Sequence, residues 1–171
     1  VFDWAIDEGL IAHNPAGKIK NLYRQADRAS VIWLAEDLEA INAVAEQPLR
    51  DAVALAAMTG LRRADLVGLR WDEVSDLAIH RVASKRSRGK RFRVTIPRLP
   101  QLNALLNDLQ TRYRQPGVET VLVSSKGTSW SEEGLASSFY NARKRANGGT
   151  GIWHVERHPL TGETTKIAKR L

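Results

Sequence analysis

The residue types most suited to chemistry in this chain fall in one run, Thr59-Gly60-Leu61-Arg62-Arg63-Ala64-Asp65-Leu66-Val67-Gly68-Leu69-Arg70-Trp71. An apolar stretch ends at Gly60, and a second short apolar segment starts at Ala64, so Arg62 falls in the turn between them. A guanidinium fixed at such a turn presents a planar fork of donors that matches the oxygens of a phosphate. The charge of the chain points the same way. Its formal net charge is +7 and its pI is near 10.0, the balance of a protein that meets a polyanion. That charge is unevenly spread. Residues 84–98 carry seven basic side chains (Lys85, Arg86, Arg88, Lys90, Arg91, Arg93 and Arg98) and no acid. A second cluster, Arg143-Lys144-Arg145, closes a later helical pattern, whereas residues 35–46 hold Glu36, Asp37, Glu39 and Glu46 and no base. A single basic loop is as often a solvated surface as a binding face. Two such clusters beside an arginine turn favour nucleic acid.

The elements that must position these groups follow from periodicity. Val1–Leu10 reads as the end of a helix with Phe2 and Ile6 on one face and Gly9 as terminator. A turn-rich break at Ala12–Lys18 and a polar stretch to Ser30 read as a linker. From Trp33 a compact domain is expected. Residues 35–46 form an amphipathic helix with Leu38, Ile41 and Val44 inward, and Pro48 opens a helix to Met58 that is apolar nearly all round and therefore central. Leu77–Ala83 and Arg91–Ile96 have strand character, joined by a turn at Ser87–Lys90. In the second of these, Phe92, Val94 and Ile96 alternate with Arg91, Arg93 and Thr95, which predicts one buried and one basic face. A helix over residues 101–114 turns Leu102, Leu105, Leu106 and Leu109 inward, and Val121–Val123 is expected as a third strand. Ser129 and Glu132 have capping-box spacing ahead of a helix that runs to Ala146. The fold class is thus mainly α with a small three-stranded antiparallel sheet, α+β. With no cysteine there is no disulfide or thiolate metal site, and His13, His80, His154 and His158 are scattered without a ligand pattern, so neither metal nor cofactor is inferred. No apolar run is long enough to span a membrane.

This arrangement closely resembles the catalytic domain of the tyrosine recombinases, the phage-integrase family. The Thr-Gly-Leu-Arg run with its Leu-Arg-Trp-Asp-Glu-Val continuation to Val74 carries most of the resemblance, and the lysine-bearing hairpin adds to it. Residues 1–16, with Trp4-Ala5, Gly9-Leu10-Ile11 and Asn14-Pro15, resemble the last helix of the family's core-binding domain, residues 17–32 a linker, and residues 33–171 a catalytic domain incomplete at its C-terminus. The resemblance implies that Arg62 is the first catalytic arginine, holding non-bridging oxygens of a scissile phosphate; the plainer reading has it capping the preceding helix or pairing with Asp65. Asp65 matches the family's acidic position, where it would help to orient the site, although an acid in a helix's first turn is also ordinary. Lys85 matches the hairpin lysine that protonates the leaving 5′ oxygen. Lys90 could fill that role instead, with Lys85 a phosphate clamp, and a hairpin that only tracks the DNA backbone remains open. Arg86, Arg88, Lys90, Arg91, Arg93, Arg143, Lys144 and Arg145 are the expected DNA contacts.

The family site also has a His-x-x-Arg pair and, near its end, a nucleophilic tyrosine. His154-Val155-Glu156-Arg157 satisfies the first literally, but Glu156 stands where an apolar residue is usual and Pro159 follows, so residues 152–168 read rather as a polar hairpin insert with the true pair beyond Leu171. Tyr23, Tyr113 and Tyr140 stand outside the family's order and read as structural, which leaves the chain without a nucleophile and reading as cut at both ends. The implied partner is double-stranded DNA, with self-association on DNA in a full-length parent, no membrane, and a place in the bacterial cytoplasm near the nucleoid. A non-enzymatic DNA-binding protein, either a regulator or a decayed integrase remnant, is the competing reading. A basic RNA-binding protein is less well served, because the aromatic-rich sheet of common RNA modules is missing.

Overall fold

A computed structural model describes residues 1–17, 31–85, 91–157 and 162–168. The chain divides into two units, Val1–Ser30 and Val31–Leu171. The first carries α1 (Phe2–Asp7), a short helix with no buried residue. Gly9 follows it with φ +69°, and Asn14 then folds over Pro15 by accepting the Ala16 amide on its side-chain oxygen (2.9 Å).

In the second unit the described helices are α2 (Ala35–Val44), α3 (Gln47–Thr59), α4 (Arg63–Val67), α5 (Pro100–Tyr113) and α6 (Glu132–Arg145). The strands are β1 (Ala78–Val82), β2 (Arg93–Pro97), β3 (Trp153–Arg157) and β4 (Thr164–Ala168). The expected fold class therefore holds: mostly helix, with small antiparallel sheet. Pro48 sits in the first turn of α3, where its missing N–H costs nothing. Leu49, Ala52, Val53 and Leu55 of α3 are buried and join Ile41 of α2, Leu66 of α4, Leu102, Leu106 and Leu109 of α5, and Leu135 and Phe139 of α6 in one core. One buried charge interrupts this apolar helix. Asp51 is 3 % exposed, and sequence periodicity gives no warning of it. Arg112 donates two parallel hydrogen bonds to it (2.6 and 2.9 Å), the Tyr113 hydroxyl donates a third (2.7 Å), and Gln47 a fourth (2.8 Å). The carboxylate thus clamps α3 to the end of α5.

Four local expectations change. Val121–Val123 is buried but is not a third strand of the hairpin; it forms isolated bridges, Arg70↔Thr120 beside it and Val123↔Ser129. Three consecutive apolar residues fit a buried extended segment as well as a strand. Second, α6 is capped by Ser131, which accepts the Gly134 amide (3.0 Å), two residues later than the Ser129–Glu132 box. Ser129 is engaged instead with the Thr120 hydroxyl (2.8 Å) and in the Val123 bridge, which keeps the chain extended there. Third, β1 and β2 pair antiparallel with Ile79 opposite Ile96, Arg81 opposite Val94 and Val82 opposite Arg93. On the face carrying Ile79 and Ile96, Arg81 and Ala83 are also covered, whereas Phe92 is 58 % exposed and Val94 of β2 is open. Fourth, Arg143 is buried, as described below. The polar hairpin expected at 152–168 is found as the pair β3–β4, with Trp153 opposite Ala168 and Arg157 opposite Thr164. The expected turn at Ser87–Lys90 lies outside the described residues.

Candidate functional site

The arginine turn is built from the end of α3. Gly60 adopts φ +64°, a left-handed conformation that stops the helix and suits glycine. The Thr59 hydroxyl donates to the Leu55 carbonyl (2.6 Å) and accepts the Leu61 amide (3.3 Å), which fixes the path into the turn. Arg62 is then the N-cap residue of α4, with extended φ/ψ (−65°, 153°) and an exposed side chain. Its guanidinium makes no hydrogen bond or ion pair with any described residue, so both plainer roles for it, helix capping and pairing with Asp65, are unoccupied there.

Asp65 is occupied elsewhere. It lies in the first turn of α4, 2 % exposed, and its Oδ1 accepts the backbone amide of Ser84 (2.7 Å) and faces Arg81 Nε at 3.6 Å. Arg81 Nη1 in turn donates to the Gly68 carbonyl (2.9 Å) and to Glu73 Oε2 (2.7 Å). The acid therefore ties the helix that begins at Arg62 to the residue before Lys85. Lys85 itself is exposed. The sequence reading reached Asp65 but missed Arg81, Glu73 and the Ser84 amide. A signal was present: Arg81 lies on the same strand face as Ile79 and Ala83, both buried, and a charge on an inward face demands a partner.

The other candidates are dispersed. Arg86, Arg88 and Lys90 lie outside the described residues. Arg91 and Arg93 are exposed, and Arg93 shares a hairpin face with Thr95 and His80. Arg143 departs from expectation. It is 4 % exposed, with its guanidinium over the rings of Tyr140 (5.2 Å) and Trp153 (4.8 Å), and so is packed between α6 and β3 rather than offered to a ligand. Helical periodicity explains this, since position 143 lies four residues beyond the buried Phe139 and beside the buried Ala142, at the edge of the inward face. Lys144 is exposed over the Tyr140 ring, and exposed Arg145 donates to the Val44 carbonyl at 3.4 Å. His154 and Arg157 both lie on β3. Tyr113 is bonded to Asp51, and burial followed by that hydrogen bond pushes its hydroxyl up to about 12. Tyr140, 51 % exposed, sits mid-helix in α6, and Tyr23 lies outside the described residues. Among the described residues no group of histidines and carboxylates could hold a metal ion, and no helix is long and apolar enough to cross a membrane.

Residues 33–161 match the phage integrase family, and the chain belongs to it. It is similar to the integrase of Escherichia phage HK022, 27 % identical over 151 residues, a match covering 86 % of this chain and 42 % of that protein. Among solved structures it is similar to a lambda integrase dimer bound to a COC′ core site (25 % identity, TM-score 0.68), covering 84 % of this chain and 53 % of that one. A lambda integrase tetramer bound to a Holliday junction matches at 26 % identity and TM-score 0.68, over 84 % and 41 % of the two chains. A Tn1549 transposon integrase in complex with circular intermediate DNA shares the fold at 17 % identity and TM-score 0.63, over 94 % and 57 %. The chain thus spans about half the length of these relatives.

Proposed function

We propose that this chain is the phosphate-gripping part of a site-specific DNA recombinase, with residues 33–171 belonging to its catalytic domain. In the reaction a tyrosine oxygen attacks the scissile phosphorus, the bond from phosphorus to the 5′ oxygen breaks, and a 3′-phosphotyrosyl link keeps the energy of the lost bond. A 5′ hydroxyl of another strand reverses the step. Arg62 binds the non-bridging oxygens and neutralises the charge that builds on them in the transition state. Lys85 gives a proton to the departing 5′ oxygen. Asp65 orients both by joining α4 to the end of β1. Arg91, Arg93, Lys144 and Arg145, with Arg86, Arg88 and Lys90, supply phosphate contacts on duplex DNA, on which the parent self-associates. The nucleophilic tyrosine comes from beyond these 171 residues, a reading supported by the engagement of Tyr113 with Asp51 and the mid-helix place of Tyr140.

The observation that carries this reading is Arg62 itself: an exposed guanidinium at a helix N-cap that pairs with no described residue, its neighbouring acid being engaged by Ser84 and Arg81, in a chain of the integrase family. Two measurements on the 171-residue chain test it. Duplex binding should be weak and should fall steeply with salt, as expected when several cations neutralise phosphates. No covalent adduct should form on a nicked duplex; trapping one would show that a tyrosine within the chain is the nucleophile. A regulator using the same surface would instead tolerate Arg62→Ala with a modest loss of affinity and no chemistry to lose.

A further inference from the structure

A mostly covered arginine behind the proposed site has a geometry that an ordinary surface ion pair does not explain. Arg81 projects from β1 on the face of Ile79 and Ala83, and only 14 % of its side chain is exposed. It touches three groups in two segments at once. Nη1 binds the carbonyl of Gly68 just after α4 and the carboxylate of Glu73 in the 3₁₀ turn Trp71–Glu73, while Nε faces Asp65 within α4. The fit at Gly68 is close. A Cβ placed there would stand 2.8 Å from Arg81 Nη2 and 3.2 Å from the Ala64 carbonyl, so the guanidinium occupies the space a side chain would need. Gly68 has φ −90°, which any residue can adopt, so a side chain there would be resisted by this approach, with the guanidinium end giving way, and not by its backbone conformation.

The consequence lies at Asp65. Its Oδ1 holds the Ser84 amide, and a carboxylate buried to this degree needs a positive neighbour to remain an acceptor of fixed position. Arg81 is that neighbour. The chain of contacts runs from Glu73 and Gly68 through Arg81 and Asp65 to Ser84, the residue that immediately precedes Lys85. We propose that Arg81 is a positioning residue for proton donation: it sets Lys85 relative to Arg62 by holding Asp65 on the Ser84 amide. The proposal rests on the recombinase reading above.

The test separates proton donation from folding and from phosphate binding. In the full-length recombinase, strand cleavage is measured on a substrate whose scissile 5′ oxygen is unmodified and on one in which it is replaced by sulfur. A sulfur leaving group departs as a thiolate and needs no proton. Arg81→Met is expected to slow cleavage of the oxygen substrate about 10- to 100-fold, the effect of a displaced acid, and to recover to within a few-fold of wild type on the sulfur substrate. Arg81→Lys should fall between the two, keeping charge but not the fork. Lys85→Ala should be rescued in the same way, whereas Arg62→Ala should stay slow on both. Unchanged cleavage of the oxygen substrate by Arg81→Met, or equal losses on both substrates, would overturn the proposal. If Arg81→Met does not fold, Gly68→Ala displaces the guanidinium by one methyl group and must give the same rescue pattern. A second readout uses the 171-residue chain: hydrogen exchange of the Ser84 amide should quicken about tenfold or more in Arg81→Met, beyond the quickening that amides exchanging by global unfolding show in the same variant. Faster Ser84 exchange without sulfur rescue of Lys85→Ala would leave the tether standing and reject Lys85 as the acid. Unchanged exchange would reject the tether itself.

Discussion

Two buried carboxylates, each beside an arginine, behave differently in this molecule. Asp51 on α3 is saturated: a bidentate Arg112, the Tyr113 hydroxyl and Gln47 fill its acceptor sites, and all belong to α3 or to the end of α5. Asp65 on α4 accepts one short bond from a backbone amide and has its arginine at 3.6 Å, with Arg81 also bonded to Glu73 and the Gly68 carbonyl. The first is a clamp between two long helices. The second joins the arginine turn to the strand end that leads to Lys85. A buried ion pair is a poor source of net stability, since desolvation offsets much of the attraction, but removing one partner is costly. Arg112 makes two hydrogen bonds to Asp51, whereas Arg81 stands 3.6 Å from Asp65, so the stability loss should be larger at Asp51 and the loss of alignment larger at Asp65.

The largest stability effect is expected at the clamp. Arg112→Ala leaves Asp51 buried and unpaired and should lower unfolding free energy by about 3 kcal/mol, read from urea denaturation, while duplex binding of the remaining folded chain persists. An equally large stability loss in Arg81→Met would erase the contrast. Next is Tyr113→Phe, which removes one hydrogen bond to a charged group and should cost about 1–2 kcal/mol near neutral pH. The same variant sharpens the comparison at high pH. The Tyr113 hydroxyl ionises near 10 when unfolded and is pushed up to about 12 in the fold. Its contribution is thus fully present below about pH 10 and is lost as pH rises through that window, and Tyr113→Phe should flatten this loss. Ser131→Ala, which removes the α6 cap far from either carboxylate, should cost about 1 kcal/mol. The smallest effect belongs to Asp108→Asn. Arg112 holds the exposed Asp108 carboxyl below its usual range by a hydrogen bond, but it keeps Asp51 without it, so the urea midpoint should barely move.

What could be read from sequence follows the same division. The arginine turn was legible because it is local: a glycine that must be left-handed, an apolar helix before it and a short one after it occupy consecutive residues. The core faces of α2, α3 and α5 were legible from periodicity. Asp51 was not, because its partner Arg112 lies 61 residues away and nothing in the spacing joins them. Arg143 reads as one of three basic residues in a row, yet Trp153 from a later strand covers it, which the run Arg143–Arg145 alone does not reveal. The open face at Phe92 and Val94 reads as buried because alternation reports which residues share a face and says nothing of what lies opposite. At the site, Asp65 was found by its place in a motif, and Arg81 was passed over although it breaks the apolar pattern of its own strand face.

The central claim is that Arg62 serves transition-state charge and not merely DNA affinity. The most direct measurement compares Arg62→Ala with wild type in the full-length recombinase, following covalent strand cleavage and duplex affinity on the same core site. Cleavage should fall by about 10²–10³-fold or more, while affinity, carried by many phosphate contacts, changes only a few-fold. Cleavage that survives the substitution, or falls only as far as affinity falls, would contradict it.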